Sequence, residues 1–89
     1  MRVFMNRQTI TKIINVANEL LQAGSSTAAS TTEHIAAAFV VNRMDLLPEG
    51  YEHVVEAWRR LDRWQHLVNH IRNDEIHRIH WPDIDVLNP

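Results

Sequence analysis

Residues 30–44 read "STTEHIAAAFVVNRM", and this stretch decides the fold. Ser30 and Glu33 match a capping box, with a hydroxyl at the cap and a carboxylate three residues on. A helix is expected over 31–44. Ile35, Ala36, Ala37, Ala38, Phe39, Val40 and Val41 leave it almost no polar side. A helix apolar all round belongs in the middle of a fold or in an interface, and its alanines let neighbours approach closely.

The neighbours follow from periodicity. Upstream, Ile10, Ile13, Ile14, Ala17, Leu20 and Leu21 recur at i, i+3, i+4, i+7 spacing. Asn6 or Thr9 can cap this first helix, and Gly24 lies where a left-handed C-cap is wanted. Its range is 7–23. The small polar run "GSSTAASTT" then reads as a connector.

Downstream, Pro48 disfavours helix at Leu47 and is itself tolerated in a first helical turn. A third helix is expected over 51–73, with Val54, Ala57, Leu61, Trp64, Leu67, Val68 and Ile71 as its buried arc and Trp58 at the margin. Its reverse face stacks Glu56, Arg59, Arg63, His66 and His70 on i, i+3 and i+4 steps. Asp74 can cap a short extra helix that stops before Pro82. The tail "WPDIDVLNP" is expected to lie extended, anchored through Trp81, Ile84 and Leu87. The whole is an all-α fold, a small bundle of three main helices (about 7–23, 31–44 and 51–73) with a short helical or extended C-terminal tail.

Composition bounds what such a bundle does. With 89 residues the chain is one domain, and 45% hydrophobic residues suffice for a core. A domain this short buries only about 60–65% of its unfolded surface, so help from a partner is expected. The formal charge of −2 lacks the basic excess of a dedicated nucleic-acid binder. Zero cysteines exclude disulfides, thiolate metal sites and cysteine nucleophiles, and fit a cytoplasmic protein. The opening "MRVFMNRQTITK" has no apolar run of a signal peptide, and no stretch is long enough to span a membrane.

Four of the six histidines fall between His66 and His80. His66 and His70, four apart, can share a zinc ion from one helical face, and His77 and His80 form a second pair. On an unbroken helix the rise from His70 to His77 is about 10.5 Å, too far for four imidazoles to converge on bonds of about 2.0–2.1 Å. A shared site needs a break near Asn73–Asp74. The metalloprotease motif also fails, because Leu67 stands where its glutamate is required. Histidine-pair metal binding therefore remains a second alternative, and no metal ligand or cofactor is assigned.

The plainer reading is a solvated face held by i, i+3 and i+4 ion pairs such as Glu56–Arg59 and Asp62–His66, each contributing about 0.2–0.5 kcal/mol. A proton switch is the middle reading: six histidines would carry the charge from −2 towards +4 as pH falls through about 6.5, as on every histidine-rich surface to some degree. Phosphate contact by Arg59, Arg63, His66 and His70, as in a small DNA-associated regulator, is the first alternative. Glu56, Asp62 and Asp74 oppose it. Catalysis lacks a paired-carboxylate motif, a phosphate loop and a nucleophile elbow, and no catalytic residue is assigned.

Tryptophan and arginine are the residues that most often anchor protein interfaces. The expectation is a non-enzymatic protein–protein interaction module, self-associating as a homo-oligomer or meeting a protein partner of unstated identity. Its expected surface is Arg59, Arg63, His66, His70 and Trp81, with no membrane contact.

Overall fold

The computed structural model describes residues 6–26 and 28–82. Four α-helices are present among them: α1 (Arg7–Ala23), α2 (Thr31–Val40), α3 (Val54–Leu61) and α4 (Gln65–Asp74). Short 3₁₀ turns lie at Met44–Leu46, Asp62–Trp64 and Ile76–Arg78, and no strand occurs among the described residues. The architecture is the expected small all-α bundle.

Helix α1 starts and stops on its own sequence. The Asn6 side chain accepts the Thr9 backbone N–H at 3.1 Å, so Asn6 and not Thr9 is the cap. Gly24 takes φ 79° and returns its N–H to the Leu20 carbonyl at 2.8 Å, a left-handed closure that is free of steric cost in glycine. Ile10, Ile13, Ile14, Val16, Ala17 and Leu20 are buried.

Helix α2 has both halves of its capping box. Ser30 Oγ accepts from Glu33 N–H at 3.2 Å and Glu33 Oε1 accepts from Ser30 N–H at 2.9 Å. Ile35 through Ala38 and Val40 are buried, because α2 is packed by α1, α3 and α4 together. Truncating the fully buried Ile35 to alanine costs about 2–5 kcal/mol.

This helix ends short of the expected residue 44. Asn42 adopts φ 56°, its N–H bonds the Phe39 carbonyl, and Arg43 N–H reaches back to Ala38 at 3.0 Å. That double closure is a Schellman ending with asparagine in the left-handed position. Arg43 then forks onto Asp45 at 2.8 and 2.9 Å.

The expected third helix, 51–73, is instead two helices. Leu47 is extended, ψ 143°, ahead of Pro48, and a turn closes from Tyr51 N–H to the Pro48 carbonyl with Gly50 at φ 91°. Helix therefore begins only at Val54, which is 41% exposed and not in the core. The second departure is at Asp62, φ 53° and ψ −119°. Asp62 N–H bonds Arg59, three residues back. The Trp58 carbonyl is taken by the Gln65 side chain at 2.8 Å instead.

Ala57 and Leu61 from α3 and Leu67, Val68 and Ile71 from α4 still reach the core. Trp58 is half-buried against Phe39, ring centroids 5.0 Å apart. After α4 the chain turns through Ile76–Arg78 and buries Ile79. His80 N–H donates to Asn18 Oδ1 at 2.6 Å, and Asn18 Nδ2 donates to the Arg78 carbonyl at 3.3 Å. Asn18 thus clasps the end of the described chain to α1. Ile84 and Leu87, expected as tail anchors, lie outside the described residues.

Candidate functional site

The break at Asp62 decides where the expected surface residues stand. Arg59 is on α3, Arg63 is in the 3₁₀ turn, and His66 is in the first turn of α4; all three are exposed. A residue at φ 53° cannot continue an α-helix, so the single continuous stripe is replaced by two faces that meet at a corner. Among the described residues, none of Glu56, Arg59, Asp62, Arg63 and His66 makes an ion pair. The ion pairs of the plainer, solvated-face reading are therefore absent among the described residues.

The outer part of α3 has an apolar side as well. Val55 is 63% exposed, beside Val54 and the half-buried Trp58. Arg60 lies over the Tyr51 ring, 5.0 Å from its centroid. Trp81, the remaining expected surface residue, is 51% exposed on the segment that Asn18 holds.

His70 is elsewhere. It is half-buried and joins a cluster around Glu75, the one buried charged residue among those described, at 8% exposure. Glu75 accepts from Arg7 at 2.6 and 3.2 Å, from Arg78 at 2.8 Å, and meets His70 Nε2 at 2.6 Å. The other His70 ring nitrogen faces Asp74 at 3.3 Å. Hydrogen bonds from Arg7, then Arg78, hold the Glu75 carboxyl well below the usual carboxylate range; burial opposes them, and His70 adds to them. The same contact raises the Arg7 guanidinium. Glu75 was not expected as a functional or structural centre. The visible signal was its i, i+3 spacing to Arg78; Arg7, 68 residues away, gave none.

The remaining histidines are also dispersed. His34 Nε2 lies 2.8 Å from the Leu46 carbonyl, bracing the turn after α2. His77 and His80 are exposed beyond the α4 terminus at Asp74, the break that the sequence suggested. Among the described residues no group of three or more His, Cys, Asp or Glu side chains is placed to hold a metal ion. No helix among them is long and apolar enough to cross a membrane.

The chain matches no protein-family model, and no curated protein or solved structure matches it.

Proposed function

We propose that this chain is a non-enzymatic protein-interaction module, self-associating and cytoplasmic, that makes contact through the outer surface of α3. The observation that carries the reading is the exposure of Val54 and Val55 next to half-buried Trp58. Two adjacent β-branched apolar residues on a short surface helix gain nothing from water, and contact with a partner would remove them from it. Arg59, Arg63 and His66 supply a polar rim, and arginine beside tryptophan is the composition of an interface centre. The lack of cysteine supports the compartment.

The test is capture from an extract of the native host with immobilised wild-type chain and the Val55→Asp variant in parallel. A protein retained by the wild type and lost with the variant supports the reading. An identical set of captured proteins for both overturns it for this surface.

A further inference from the structure

We infer that α3 pairs antiparallel with α3 of a second copy of this chain about a twofold axis that passes between the two helices, level with the midpoint of Ala57 and Trp58. The inference rests on the interaction-module reading and names its partner.

Helical geometry sorts the exposed part of α3 into two edges. At 100° per residue, Arg59 and Glu56 lie about 60° apart on one edge, and Val55 lies about 40° beyond Arg59 towards Trp58 on the other. One edge is charged and the other apolar. Glu56 and Arg59 have no ion-pair partner among the described residues.

A twofold axis perpendicular to the helix reverses its direction and keeps each edge on its own side. The apolar edges then meet: Val55 and Trp58 of one copy lie against Trp58 and Val55 of the other. On the charged side, Glu56 of each copy stands level with Arg59 of its partner, because both are equally far from the axis. A parallel pair, related by a twofold along the helices, would instead swap the edges and set the charged edge of each copy against the apolar edge of the other, leaving Glu56 and Arg59 without opposite charges to face. The charge order of α3, acid before base, is thus complementary to its own reverse. Such self-complementarity is the requirement of an isologous contact. An eight-residue helix is about 12 Å long, so the contact is small and the dimer weak and concentration-dependent.

The experiment is sedimentation equilibrium on the full chain, with Glu56→Arg and Arg59→Glu each alone and in equimolar mixture. Both sites are exposed, and circular dichroism checks that each variant keeps its helix content. The wild type is expected to dimerise reversibly, each single reversal to weaken the dimer by about tenfold, and the mixture to restore it, since opposite charges again face each other. A wild type that stays monomeric up to about 1 mM overturns the pairing. So do single reversals without effect, or a mixture no better than its parts. If the wild type is monomeric while Val55→Asp still abolishes capture of a different protein, the module reading stands and this partner falls.

Discussion

Arg7, the first residue of α1, forks onto Glu75, the residue that follows α4, through contacts of 2.6 and 3.2 Å. This pair ties the two ends of the described chain across the bundle, and Arg78 and His70 complete the ring of donors around one buried carboxylate. Removing the carboxylate leaves three cationic or polar groups converging on nothing.

Glu75→Gln is therefore expected to destabilise the fold by about 1–3 kcal/mol, because charge-assisted bonds are lost around a buried position. In a domain of this size that lowers the melting midpoint by about 4–8 °C for each kcal/mol. Thermal denaturation followed by circular dichroism checks it. A midpoint equal to the wild type would mean that the cluster contributes nothing.

The pH dependence of that difference has a definite sign. The folded state holds Glu75 below its ordinary value of 4.5, so folding favours the ionised form. The contribution is fully present above about pH 4.5 and is lost progressively as pH falls towards the lowered folded value. The stability gap between wild type and Glu75→Gln should be level at neutral pH and narrow below about pH 4.5. Urea titrations at several pH values read it; a gap that widens on acidification contradicts the assignment.

Asp62→Gly is expected to stabilise the protein. The backbone there, φ 53° and ψ −119°, is a conformation glycine adopts freely and a side chain strains. Relief of that strain is on the order of 1 kcal/mol, and Asp62→Val should cost a comparable amount or more. Equilibrium unfolding of the two variants settles the order. If both behave alike, the corner between α3 and α4 is not strained.

The sequence made α1 and the start of α2 legible because their determinants are local: Asn6, Ser30 with Glu33, and Gly24 act within four residues of the backbone groups they satisfy. Asn42 and Asp62 were opaque for the opposite reason. Each adopts positive φ without being glycine, a conformation that asparagine and aspartate enter at only a minority of positions, so residue type alone does not announce it. That single turn at Asp62 divides the third helix. The surface residues fared likewise. Arg59, Arg63, His66 and Trp81 are exposed, whereas His70 is drawn into the cluster around Glu75, whose main partner Arg7 no spacing rule could supply.

The central claim is that α3 is the surface through which two copies of this chain associate, and the most direct measurement is the molar mass of the wild type and Val55→Asp in solution across a concentration series. The account predicts a wild type whose mass rises reversibly towards twice the monomer and a Val55→Asp variant that stays monomeric with an unchanged melting midpoint. A wild type that is monomeric throughout, or a variant that associates as the wild type does, would contradict it.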